Sequence, residues 1–287
     1  RLCWWGEAWD VYSGHAPQGA GAGTFEIARK RYRSDARSVV EPHSVPLQQL
    51  SDGGIAGLAL FGVLIVAAAA VGIGALRRLD GAERAAAAAL VAAATAYLGH
   101  ALVDYNWNFL AVTAPTLVAL GVLAGAGRAP REPRRSRWLP VAIVLTAALV
   151  VASFSFPRLA DSMERSSTHA LIADDIERAD DRARWARFFN PLSIDPLLAL
   201  ARVEESRLRL GHAERRYIQA VEQQPDNPEA WYALGIFEFE AFENLCATYR
   251  FLNNAYTLDP AGNQWREGGP LDVARDAVNQ GGCAPGS

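Results

Sequence analysis

Ile55-Ala56-Gly57-Leu58-Ala59-Leu60-Phe61-Gly62-Val63-Leu64-Ile65-Val66-Ala67-Ala68-Ala69-Ala70-Val71-Gly72-Ile73-Gly74-Ala75-Leu76, closed by Arg77-Arg78, is an apolar run with no charge inside it. A helix rises about 1.5 Å per residue, so roughly 20 such residues cross the hydrocarbon core of a bilayer. The run predicts a membrane-spanning helix over 55–76, and three further stretches share its character: 85–103, 109–126 and 139–156. The second is rich in alanine. The third contains Pro115, which a packed membrane helix accommodates. Four spans in a chain of 287 residues define an all-α, polytopic membrane protein.

The loops set the orientation. Arg77, Arg78 and Arg84 mark the first, and Arg128, Arg131, Arg134, Arg135 and Arg137 mark the third. Basic loops stay in the cytoplasm. The intervening loop, Asp104-Tyr105-Asn106-Trp107-Asn108, has no Arg or Lys and two interfacial aromatics, so it faces outward. By parity, residues 1–54 and everything from 157 onward lie on that outer side. The expected division is therefore an outer loop over 1–54, four membrane helices over 55–156, and an extracytoplasmic domain over 157–287. The net charge of −3 argues against a nucleic-acid partner.

The first residue is Arg1 and no signal peptide is visible. Something must deliver the first loop to the outer side, so further membrane helices are expected upstream of this chain. Three cysteines are too few for a disulfide framework and lack metal-ligand spacing. Cys246 and Cys283 share the outer domain, where a bridge can form; two free thiols are the alternative.

Past Asp161 the pattern becomes amphipathic. Asn190-Pro191, Gln224-Pro225 and Asp259-Pro260 recur about every 34–35 residues, the period of stacked helix pairs. Small residues, among them Gly235, Ala220 and Ala255, stand where paired helices approach closely. Residues 225–235, Pro-Asp-Asn-Pro-Glu-Ala-Trp-Tyr-Ala-Leu-Gly, resemble the start of a tetratricopeptide repeat. About two and a half units are expected, with 170–191 as the second helix of a degenerate first unit and 262–287 as a cap. Such repeats dock proteins or glycans and have no catalytic constellation of their own.

The first loop contains the residues most suited to chemistry. Gly19-Ala20-Gly21-Ala22-Gly23 has no preceding strand and no βαβ context, so it reads as a flexible bend rather than a dinucleotide site. Arg29-Lys30-Arg31-Tyr32-Arg33, with Arg37 beyond, suits phosphates or lipid headgroups, or forms a solvated face. Pro42-His43-Ser44-Val45-Pro46-Leu47-Gln48-Gln49-Leu50 leads into Ser51-Asp52-Gly53-Gly54 and the first span, holding an imidazole at the outer mouth of a membrane helix. His100 and Asp104, four apart, project from one face of the second span, as a site element or as a polar cap on a tight turn.

The His43 segment, the Gly-rich loop from Gln18 to Glu26, and Arg1-Leu2-Cys3-Trp4-Trp5 together resemble the O-antigen ligase and polymerase family. The resemblance covers roughly residues 1–123. It implies a bacterial inner-membrane enzyme moving a glycan from a polyprenyl diphosphate carrier to an acceptor glycan or lipid hydroxyl outside the cytoplasm, without nucleotide sugar, metal or other cofactor. That chemistry needs a base near neutral pKa and cations for the departing diphosphate. His43 is the expected base. Arg1 is the favoured phosphate ligand, with Arg29, Arg31, Arg33 and Arg37 behind it, because guanidinium is permanently charged and bidentate. Asp104 is expected to orient His43 or bind the acceptor. The rival reading is a membrane-tethered scaffold whose repeats recruit envelope proteins. A transporter is disfavoured, since no ionisable residue sits mid-span.

Overall fold

The structure is a computed structural model describing residues 1–128 and 138–283. Arg131, Arg134, Arg135 and Arg137 of the expected third loop lie outside the described residues, as do the last four residues of the expected cap. The described residues form helices and turns without a strand. They divide into two compact units, Arg1–Pro133 and Arg134–Ser287.

In the first unit, α1 (Leu2–Gly14), the short α2 (Phe25–Ala28) and α3 (Val45–Arg78) precede α4 (Gly81–Ala101) and α5 (Leu110–Gly125). α3 packs against α1, α4 and α5. At its C-terminal end Ala75, Leu79, Ala87 and Leu123 close a small core. Toward its N-terminal end Val45, Phe61 and Ala101 form another, with Trp107 against it. Burial of the larger of these side chains, Val45, Phe61, Leu79 and Leu123, contributes roughly 1.5–3 kcal/mol each, but much of the apolar surface of these helices is not used this way. Leu60, Val63 and Val66 of α3 and Leu110, Val118 and Val122 of α5 are all exposed.

Two of the four expected spans are long and apolar enough to cross a membrane: α3, and α6 (Trp138–Ile172) of the second unit. α5 is apolar but only 16 residues long, a rise of about 24 Å against a core of roughly 30 Å. α4 has 21 residues, yet its Ala-rich sequence with Glu83, Arg84 and His100 falls short in hydropathy. α3 is broken at Gly54 (φ 62°, ψ −154°), so a short first segment from Val45 turns into the apolar run that begins at Ile55.

In the second unit α6 runs without interruption through Pro157 to Ile172, so the expected domain limit at 157 falls inside one helix. It is followed by α7 (Ile176–Phe189), α8 (Asp195–Ser206), α9 (Leu210–Gln223), α10 (Pro228–Phe242), α11 (Leu245–Leu258) and α12 (Pro270–Asn279). Each packs against the next. Asn190, Gln224 and Asp259 end α7, α9 and α11 with nearly the same backbone (φ −133°, −137° and −149°; ψ 79°, 74° and 70°). The proline that follows each explains why: its ring excludes the helical conformation from the residue before it. The next helices begin on side-chain caps or prolines. Asn227 accepts from the Glu229 N–H at 3.0 Å, a cap worth about 1 kcal/mol. Gly235 lies where α10 meets α11; a Cβ there would stand 2.6 Å from Leu252 Cδ2. Cys246 and Cys283 form a disulfide that ties the segment after α12 to α11. Cys3 is free.

Candidate functional site

The site is assembled in the first unit by α1, the segment before α3, and the turn after α4. That turn is fixed from within: Asn106 Nδ2 donates to the Tyr97 carbonyl at 3.1 Å, and Tyr97 Oη lies 2.7 Å from Thr113 Oγ1. Asp104 is thereby held at the mouth of α4. The segment before α3 is fixed by the glycine loop. Ala20 and Gly21 donate their N–H groups to the carbonyls of Ser51 and Asp52, and Gly23 N–H reaches Asp52 Oδ2 at 3.0 Å. Ile55 N–H, released by the break at Gly54, is taken up by the Pro17 carbonyl at 3.1 Å. The sequence suggested a flexible bend; the loop instead packs on the kink, because its bare backbone supplies the hydrogen bonds the broken helix lacks.

His43 follows from these two anchors. Its φ of 55° is left-handed, a conformation costing a non-glycine residue about 1–3 kcal/mol. Trp5 Nε1 donates to its carbonyl at 3.2 Å. Trp4 stacks on the imidazole with ring centres 4.9 Å apart, and Tyr105 meets it edge-on at 4.4 Å. The His43 Nδ1 lies 3.0 Å from Asp104 Oδ1. Asp104 also accepts the Tyr105 N–H at 2.9 Å and Arg1 Nη2 at 3.2 Å. Arg1 Nη1 binds the Val103 carbonyl, and His100 Nε2 stands 3.9 Å from Asp104 Oδ2.

Desolvation pulls the Asp104 carboxyl upward, but the Tyr105 N–H, the His43 ring and Arg1 together hold it below the ordinary carboxylate value. An ionised carboxylate only accepts, so the proton between the two residues belongs to His43 Nδ1. In the neutral ring Nε2 then keeps its lone pair. This is the base-and-orienter arrangement used to take a proton from a hydroxyl. His43, Asp104, Arg1 and His100 line one open cavity of about 690 Å³, together with Tyr97 and Phe109.

Comparison with known proteins finds no family model that matches the chain and no curated protein that matches it.

The other expected phosphate ligands are scattered. Arg29 is 1% exposed; its Nε donates to Glu7 Oε2 at 2.7 Å and its Nη1 to the Arg37 carbonyl at 3.0 Å. It ties α1 to the loop and lines neither this cavity nor its neighbour. Arg31 is exposed, and neither it nor Arg33 lines either cavity. Arg37 lines the neighbouring cavity of about 600 Å³, which shares His43 and Tyr105 with the first.

That second cavity contains a group the sequence reading passed over. Glu41 Oε1 accepts from Asn108 Nδ2 at 2.7 Å, while Oε2 is buried without a partner among the described residues. Burial, then the anionic Asp52, push its carboxyl up to about 7 against the pull of Asn108. Its place two residues before His43 was the available signal. The folded state binds this proton more tightly than the unfolded chain, so the contribution of Glu41 to native stability is fully present below the ordinary glutamate range and is lost as pH rises through about 7. Glu41→Gln should therefore flatten the fall of the thermal midpoint between pH 5 and 8; an unchanged slope would assign that dependence to other groups.

Proposed function

We propose that this chain transfers a glycan from a polyprenyl diphosphate carrier to an acceptor hydroxyl on the outer side of a bacterial inner membrane. The observation that supports it best is the imidazole of His43, oriented by Asp104 so that Nε2 is the basic atom, with Arg1 in the same cavity. His43 Nε2 takes the acceptor proton as the acceptor oxygen attacks the anomeric carbon. The bond from that carbon to the diphosphate oxygen breaks, and the diphosphate leaves with its electron pair. Arg1 offsets its growing charge, an interaction that strengthens in the transition state. Single displacement inverts the anomeric centre.

In this reading α3, α4, α5 and α6 all cross the bilayer, with the Arg77, Arg78 and Arg84 loop in the cytoplasm. Support comes from the exposed leucines and valines of α3, α5 and α6, which none of the described residues covers. A span a few ångströms short, such as α5, is accommodated by local thinning of the bilayer at modest cost. The helices after α6 are tetratricopeptide-like repeats in this view, and they lie outside the cytoplasm.

The scaffold reading draws on one feature, a cleft of about 190 Å³ where Tyr232, Tyr256 and Trp265 meet Arg266 and Arg275. The two readings separate in one experiment. The full-length protein in vesicles, given a synthetic polyprenyl-diphosphate oligosaccharide and a panel of hydroxyl acceptors, is expected to release polyprenyl diphosphate and extend an acceptor. Removing residues 176–287, which leaves α6 whole, should preserve measurable transfer. Absence of transfer from the intact protein with every donor and acceptor would overturn the enzyme assignment in favour of the scaffold.

A further inference from the structure

We infer that the C-terminal end of α7, with the corner that follows it, is immersed in the headgroup layer of the bilayer crossed by α6. The inference rests on α6 crossing the membrane, one part of the topology proposed above, and is independent of the chemistry at His43.

The apolar part of α6 ends at Phe156; Arg158, Asp161, Glu164 and Arg165 follow. From Phe156 to the end of α6 at Ile172 the helix rises about 24 Å beyond the hydrocarbon. α7 then returns along it. Ser167 Oγ donates to the Ala179 carbonyl at 2.8 Å, Arg182 Nη1 reaches Met163 Sδ at 3.4 Å, and the rings of Phe156 and Phe189 lie 5.8 Å apart. These three pairings run in opposite directions along the two helices, so α7 descends antiparallel and its last turn comes back to the level of Phe156.

At that level apolar side chains face outward. Phe188 is 68% exposed, Leu192 79% and Trp185 half exposed, while Phe154 and Phe156 stand exposed on α6 beside them. Trp185, Phe188 and Phe189 form one aromatic cluster with ring centres 5.4–5.8 Å apart. The outer face of the rest of α7 is polar and charged, and its Asp180 is shared in ion pairs by Arg184 of the same helix and by Arg207, which follows α8. Arg187 turns inward to the carbonyls of Pro191 and Ser193, which secures the corner bearing Leu192. A patch of this kind in water is an aggregation hazard. Here it continues the lipid-facing surface of α6, and tryptophan and phenylalanine beside arginine are the residues that favour the membrane interface. Lipid is therefore the occupant. The last turn of α7 would fix the tilt of the outer helices over the membrane.

Single nitroxide labels would test this. In the full chain with Cys3→Ser, labels are placed by Phe188→Cys and, separately, Leu192→Cys, with Leu149→Cys marking the hydrocarbon and Ile172→Cys the water-exposed tip. The proteins are reconstituted in phosphatidylethanolamine–phosphatidylglycerol vesicles, and collision with oxygen and with a water-soluble nickel chelate is measured. At 188 and 192 nickel accessibility should be several-fold lower than at 172, with oxygen accessibility retained. Nickel accessibility equal to that at 172 would overturn the inference by showing a surface in water. Protection from both reagents would overturn it by showing a protein covering. Nickel access at 149 would overturn it through its premise, and would indict the topology rather than the chemistry.

Discussion

Transfer by a His43→Ala protein should fall roughly 100- to 10,000-fold, the contribution of a positioned general base, while binding of the diphosphate carrier stays near the wild-type level. The expectation comes from the geometry around the ring. The Asp104 contact at 3.0 Å commits Nδ1 to donating, and in the neutral ring this leaves Nε2 to accept. Asp104→Asn tests the same arrangement from the other side. An amide can present N–H to Nδ1, which moves the ring proton to Nε2 and removes the base without removing the imidazole. Its rate should therefore fall almost as far as that of His43→Ala, and the double variant should be little worse than either single one, because residues acting as a unit are not additive. Rates measured with saturating lipid-linked glycan decide this. A His43→Ala protein with unchanged transfer would exclude the imidazole from the reaction.

Much of the frame of this site was legible in the sequence, and what was not has identifiable causes. His43 and Asp104 each stood out locally, one before an expected span and one at the end of another, and Asp104 was expected to orient His43 or to bind the acceptor; across 61 positions the sequence had no means of choosing between the two. Arg29 was misleading because a basic run says nothing about which member turns inward. Its partner Glu7 lies 22 positions away on α1, and the buried guanidinium is 1% exposed and lines neither cavity. Glu41 was overlooked for a related reason: a glutamate beside a proline reads as an ordinary loop residue until burial shifts its titration. The spans show the limits of composition. The charge-free runs at 55–76 and 139–156 lie in helices long and apolar enough to cross, whereas those at 85–103 and 109–126 lie in helices that fall short in hydropathy and in length. The X-Pro corners were the most readable feature of the second unit, since the clash of a proline ring with the preceding residue is local and needs no partner.

The glycine loop leads to the largest expected effect on folding. Gly54 adopts φ 62° and ψ −154°, a region that side chains essentially exclude. A Cβ at this position would stand 2.0 Å from the Pro17 carbonyl oxygen and 2.5 Å from the Gln18 carbonyl carbon, both backbone atoms that cannot swing aside. Strain of about 1–3 kcal/mol and overpacking of a further 1–3 kcal/mol suggest that Gly54→Ala costs roughly 2–6 kcal/mol. The loss should also separate the Ile55 N–H from the Pro17 carbonyl, freeing the segment that holds His43. A lower thermal midpoint and reduced transfer should therefore appear together. Gly53→Ala is the internal control, because nothing lies within 4 Å of a Cβ there and alanine favours a helix over glycine by about 0.5–1 kcal/mol. That variant should match or slightly exceed the wild-type midpoint. Equal midpoints for the Gly53 and Gly54 variants would mean that the kink does not constrain the loop, and that His43 owes its position to Trp4, Trp5 and Asp104 alone.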